Sequence, residues 1–197
     1  MTRFLTCLLL FAAILHADEF DPADNTIVLG KRVGLIKPNM TAADIERAYG
    51  KKSLKVQQLP GPEGEMIDGA KLFADTEREL EIIWDPEKLD QNKKIVFDVR
   101  IIGTAWKFEN GLKAGMTIEE VEKINGKPFK IAGFSWDYGG FANFEGGKLA
   151  AKVSIRFNPS TDDIPEYLQG DKELSSTDKK LRAVKPLVEE GITVFMR

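Results

Sequence analysis

Thiol and imidazole chemistry, whether nucleophilic, acid–base or zinc-binding, requires Cys or His, and this 197-residue chain has one of each, Cys7 and His16. Both lie in an N-terminal stretch that reads as a signal peptide: Arg3 precedes the apolar run Leu5 to Leu15, and Leu15-His16-Ala17 offers a small residue for cleavage before Asp18. The run is about half of the ~20 residues that span a bilayer. Cys7 sits inside it, too early for lipid attachment. Once residues 1–17 leave, neither a Ser-His-Asp nor a Cys-His nucleophile can be assembled. Zinc sites built on thiolate or imidazole are excluded as well, and so are disulfides. The expectation is a periplasmic or secreted chain with no catalytic residue, no metal and no cofactor.

Carboxylates are what remain for acid–base work. Asp68, Asp85 and Asp137 are candidates for a glycoside-hydrolysing pair, but the sequence places no partner beside any of them. Asp85 to Asp90 and Asp162-Asp163 carry oxygen ligands without the alternating spacing of a calcium loop. Removing residues 1–17 takes away Arg3 and no acid, leaving 27 basic against 31 acidic residues. Basic residues fall in scattered pairs such as Lys51-Lys52 and Lys179-Lys180, with no aromatic-interleaved stripe, so nucleic acid is not an expected partner.

Recognition chemistry is densest at Phe134-Ser135-Trp136-Asp137-Tyr138-Gly139-Gly140-Phe141. Trp136, Asp137, Tyr138 and Phe141 form the candidate binding patch, suited to a protein or glycan contact. The competing reading has the aromatics alternating into a core, with Gly139-Gly140 as a tight turn. The first half of the chain has Leu59-Pro60-Gly61-Pro62-Glu63-Gly64 at the corresponding place, with no aromatic residue.

The elements that must position this patch are set by an internal repeat. Met40-Thr41-Ala42-Ala43-Asp44-Ile45-Glu46-Arg47-Ala48-Tyr49-Gly50-Lys51 returns 76 residues later as Met116-Thr117-Ile118-Glu119-Glu120-Val121-Glu122-Lys123-Ile124-Asn125-Gly126-Lys127. Each copy predicts a helix of about eight residues. Thr41 and Thr117 are N-caps, with Asp44 and Glu120 completing capping boxes. Met40 with Ile45, and Met116 with Val121, have staple spacing, and Gly50 and Gly126 can turn left-handed at the end. Helices this short must dock, and strand-like alternation supplies the surface. It occurs over Leu80 to Trp84, Ile95 to Ile102 (with Ile95, Phe97, Val99 and Ile101 on one side), Val153 to Phe157 and Ile192 to Met196. Ser175 and Asp178 have capping-box spacing for one more short helix ending before Pro186. The expectation is an α+β fold of two tandem repeats, residues 18–103 and 104–197, each a short helix (or helix pair) packed on an antiparallel sheet, joined without a flexible linker.

The segment Gly115-Met116-Thr117-Ile118-Glu119-Glu120-Val121, followed by Gly126-Lys127-Pro128, resembles the helix opening of BamE-like (SmpA/OmlA) and beta-lactamase inhibitory protein-like modules. That resemblance implies small exported α+β units acting through protein–protein contact, in envelope assembly or in inhibition of a secreted enzyme. It transfers no binding residue, because no loop motif matches. The reading is an exported, non-catalytic binding or scaffolding protein of the bacterial envelope whose partner is another envelope or secreted protein. The alternatives are an inhibitor of a secreted hydrolase and a carboxylate-dependent enzyme acting on glycans.

Overall fold

The computed structural model describes residues 21–89 and 93–197, so the expected signal peptide at 1–17, with Cys7 and His16, lies outside the described residues. The fold is α+β. In chain order the first half gives β1 (Thr26–Val28), β2 (Arg32–Val33), α1 (Ala42–Tyr49), β3 (Leu54–Pro60), β4 (Met66–Leu72), β5 (Leu80–Trp84), α2 (Pro86–Leu89) and β6 (Val96–Ile101). The second gives β7 (Lys107–Phe108), α3 (Ile118–Asn125), β8 (Lys130–Ala132), β9 (Ala142–Asn143), β10 (Val153–Ser154) and β11 (Phe157–Asn158). It closes with β12 (Glu173–Ser175), α4 (Lys179–Ala183), β13 (Leu187–Val188) and β14 (Thr193–Phe195).

Helices α1 and α3 are each eight residues long and open on the same bonds. The Asp44 amide donates to Thr41 Oγ1 at 3.2 Å, and the Thr41 amide donates back to Asp44 Oδ2 at 2.9 Å. In α3 the Glu120 amide reaches Thr117 Oγ1 at 3.3 Å, and the Thr117 amide reaches Glu120 Oε2 at 2.8 Å. Accepting these bonds stabilises the charged carboxylates. Asp44 is held below its ordinary range chiefly by the Thr41 hydroxyl, and Glu120 chiefly by the Thr117 amide. The ends differ. Gly126 is left-handed (φ 81°, ψ 1°), whereas Gly50 has positive φ but extended ψ (88°, 141°), because the chain leaves it through a 3₁₀ turn straight into β3.

The helices bury Ile45, Ile118 and Val121 in one hydrophobic core that draws on both halves of the chain. The main sheet runs β10-β14-β6-β5-β4-β3, and every pairing in it is antiparallel. The halves join between its second and third strands, where Val99 of β6 faces Val194 of β14. Beyond β10 the Ala142 amide donates to the Ile155 carbonyl at 2.9 Å and Phe141 bridges Arg156, which leads into the smaller sheet β12-β8-β9. The first half therefore contributes β3 to β6, and the second contributes β14 and β10 with β9 and β8 beyond them. An exception to the antiparallel rule is β1, which pairs parallel with β7 from the other half.

Three local expectations are corrected. In β6 it is Val96, not Phe97, that joins Val99 and Ile101 in the core, because a register shift at Ile83/Trp84 changes the phase of the strand. The last helix, α4, is capped by Asp178, which accepts from the Lys180 amide at 2.8 Å; Ser175 is instead the end of β12. In β5 the expected alternation is broken by Glu81, buried along with Leu80 and Ile82, whereas over 153–157 and 192–196 it holds. Val153, Ile155 and Phe157 are buried, as are Ile192, Val194 and Met196, and their neighbours face outward.

Candidate functional site

The segment 134–141 does not behave as a uniform strand. Phe134 is pinned on both backbone sides, its amide donating to the Leu168 carbonyl and its carbonyl accepting from Gly170, both at 2.8 Å, and its ring is in the core. From Ser135, which is left-handed at φ 65°, the chain turns outward. The Gly139 amide closes the turn onto the Trp136 carbonyl at 2.9 Å. Gly140 has φ 81°, and a Cβ there would lie 2.1 Å from the Phe157 carbonyl oxygen, so this position requires glycine.

The four patch residues consequently sit at or near the surface. Tyr138 is 44% exposed and Phe141 38% exposed, Asp137 is exposed, and Trp136 is half-buried with its indole N–H bonded to the Gly133 carbonyl at 2.7 Å. The Trp136 and Tyr138 rings meet edge to face at 5.4 Å. Arg156 supports the turn from below: its Nε donates to the Gly139 carbonyl at 2.8 Å, and its guanidinium carbon lies 5.5 Å from the Phe141 ring centre.

Opposite the patch stands a part of the molecule that the sequence marked only as bare of aromatics. Strands β3 and β4 form a hairpin seven residues deep, and its tip folds onto itself through the Gly61 amide to the Glu65 carbonyl at 2.8 Å. Glu63, left-handed at φ 53°, reaches across and accepts a 2.6 Å hydrogen bond from the Tyr138 hydroxyl. The tip is also held from the sheet by Arg100, whose Nη1 donates to the Pro60 carbonyl at 3.2 Å.

Tip and aromatic turn enclose a cleft of ≈ 800 Å³. Its floor is the outer face of β6, β14 and the end strand β10, where Arg100, Thr193 and Ser154 fall in lateral register, with Arg156 beyond them and Glu189 and Glu190 along one side. The floor strands β6 and β14 are paired on both sides. Over these two strands whatever enters is met by side chains rather than by a free strand edge.

Charge on the floor is organised by a ladder on the same outer face. Lys71 Nζ lies 2.6 Å from Glu79 and 3.9 Å from Glu81, and Arg100 pairs with Glu81 at 2.8 Å. The bond with Lys71 holds Glu79 below its usual range, and the same bond raises Lys71. Asp98 lacks such a partner. Burial pushes it up to about 6, the Arg197 charge and the Met196 amide only partly oppose this, and its Oδ1 has no hydrogen bond. At the rim, Tyr138 is raised first by its bond to Glu63 and by that carboxylate's charge, then by the charges of Asp137 and Glu65.

The other carboxylates singled out from the sequence are elsewhere. Asp68 accepts from Gln58 Nε2 at 2.6 Å on the exposed hairpin, and Asp85 accepts from the Glu87 amide at 3.0 Å at the start of α2. Only Asp137 of the three lines the cleft. Among the described residues no group of three or more His, Cys, Asp or Glu is placed to hold a metal, and no helix is long and apolar enough to cross a membrane. Sequence reasoning missed Glu63, Arg100 and Arg156 as parts of the site. Glu63 had one local signal, the Pro-Gly-Pro-Glu-Gly tip, which marks a turn but not what the turn touches, and Arg100 and Arg156 had none.

Comparison with known proteins adds little. No family model and no curated protein matches the chain. Among solved structures, the uncharacterized protein yfeY from Escherichia coli is similar at 12% sequence identity and a TM-score of 0.45, over 86% of this chain and 99% of that one. At that level of likeness neither fold nor function transfers.

Proposed function

We propose that this chain is an exported, non-catalytic binding or scaffolding protein of the bacterial envelope that works through protein–protein contact. Its contact surface is the cleft between the Pro60–Glu65 tip and the Trp136–Phe141 turn. A kinship with BamE-like and inhibitor-like tandem modules belongs to the same reading, supported by the matching capping boxes of α1 and α3. The lack of His and Cys from residue 18 onward supports the absence of catalysis.

The observation that carries the proposal is the exposure of Tyr138 and Phe141 at the mouth of a large cleft while their neighbour Phe134 is buried. Aromatic side chains with arginine beside them are the residue types that dominate interface energetics. A turn that leaves two rings part-exposed forgoes some of the stability that full burial would give, so their placement suits contact with a second molecule. The test replaces Tyr138 with a photo-crosslinking phenylalanine in the full chain, and in a second sample replaces Tyr167, which is 49% exposed but outside the cleft. In envelope extract we expect a discrete protein adduct from position 138 and none from 167. Identical adducts from both positions, or a blank lane at 138, defeat the proposal.

A further inference from the structure

We infer that the occupant of this cleft is a lysine- or arginine-bearing loop of the partner protein, a reading that rests on the contact surface proposed above. The cleft is lined by four carboxylates, Glu63, Asp137, Glu189 and Glu190, against two guanidiniums, Arg100 and Arg156. Both guanidiniums already face a carboxylate of the same chain, Arg100 bonding Glu81 at 2.8 Å and Arg156 lying 3.7 Å from Glu189. That leaves Glu63, Asp137 and Glu190 with no cation against them among the described residues. Glu63 spends one oxygen on the Tyr138 hydroxyl, which neutralises none of its charge. Glu65 stands close enough to Tyr138 for its charge to be felt there together with those of Glu63 and Asp137. The rim of an ≈ 800 Å³ cleft is thus a concentrated negative field beside a pair of rings.

Ring geometry points the same way. The chain repeatedly sets its own cations on aromatic faces: Arg156 with Phe141 at 5.5 Å, Arg78 with Phe73 at 4.3 Å, and Arg197 with Phe97 and Phe195 at 4.4 and 4.8 Å. Among the described residues no cation covers the Trp136–Tyr138 pair, which stands between Glu63 and Asp137. A guanidinium or ammonium from outside gains there both the ring quadrupole and the carboxylates, whereas an acidic or phosphorylated segment meets repulsion. Over β6 and β14, which are paired on both sides, a visitor meets side chains rather than a strand edge, so the charge and ring chemistry of the rim is what selects it there.

The test titrates the full chain with end-blocked triarginine and, separately, end-blocked triglutamate, following the Trp136 indole N–H resonance. We expect triarginine to shift that resonance, with affinity falling at least ~5-fold in E65Q/D137N and falling steeply between 50 and 500 mM salt, as screening of exposed charge requires. Triglutamate should leave it still. Both substituted residues are exposed, and an otherwise unchanged amide spectrum shows that the variant is folded. Equal response to triglutamate, or undiminished triarginine binding in E65Q/D137N, overturns the inference. If triarginine is silent while the position-138 cross-link captures a partner, the basic occupant is wrong and the contact surface stands. If the cross-link is blank as well, the surface itself has failed.

Discussion

Segments 40–51 and 116–127 carry the same twelve-residue pattern and make the same capped helix, yet the chain takes a different course after each. After Gly50 it runs into a hairpin of two seven-residue strands whose tip is made of Pro, Gly and Glu. After Gly126 it makes the three-residue β8 and then the aromatic turn that ends at β9. Those two divergent stretches are the ones that meet, through Tyr138 and Glu63, to form the cleft. The shared part builds the scaffold and the unshared part builds the proposed contact cleft. This is the division expected when function is carried on loops held by a rigid frame.

The sharpest way to break this contrast is at two glycines. Gly140→Ala in the aromatic turn sets a Cβ 2.1 Å from the Phe157 oxygen, whereas Gly64→Ala in the hairpin tip meets nothing within 4 Å although both residues have positive φ. We expect a loss of about 3 kcal/mol or more at 140 and about 1 kcal/mol at 64, read from urea midpoints. Equal costs would mean that the aromatic turn is no more tightly built than the tip.

The seam between the halves gives the next effect. Asp98 is raised above its unfolded value, so the folded state holds the proton more tightly and stability is greatest below pH ~4. Stability then declines as pH climbs toward about 6, by up to about 3 kcal/mol once both states are ionised. Asp98→Asn should therefore be more stable than the parent at pH 8 and no more stable at pH 3.5. Urea unfolding at the two pH values decides it, and a pH-independent difference would mean the carboxyl finds a partner.

Smaller and equal effects are expected at the caps. Thr41→Ala and Thr117→Ala should each cost about 1 kcal/mol. A twofold difference between them in thermal unfolding would show that the two helices are supported differently by their surroundings. Smallest of all is the contact across the cleft. The Tyr138 phenol should ionise above the ordinary tyrosine range and move down in Glu63→Gln, by absorbance at 295 nm. Tyr138→Phe should leave the thermal midpoint in place while amide exchange in the Pro60–Glu65 tip speeds up.

Much of the scaffold is legible in the sequence. A capping box is a contact between residues three apart, so Thr41 with Asp44 and Thr117 with Glu120 can be read directly. Burial alternation over Val153 to Phe157 and Ile192 to Met196 is equally local. The exceptions are β5, where Glu81 is buried along with Leu80 and Ile82, β6, where a bulge set by the neighbouring strand moves Val96 inward, and α4, where β12 claims Ser175. Of the site, Trp136, Asp137, Tyr138 and Phe141 are visible as a cluster, but the sequence leaves open whether they face in or out. Their outward turn depends on Phe134 being fixed by Leu168 and Gly170, more than thirty residues away.

The sequence by itself determined the α+β character, the twin helices and the candidate recognition residues, because capping, periodicity and composition act over a few neighbours along the chain. Only the tertiary structure decided that one sheet serves both halves, with Val99 against Val194, and that Glu63 closes on Tyr138 from 75 residues away. Those choices come from burying one continuous core and satisfying backbone bonds between distant strands, and no local pattern encodes which distant partner will be met.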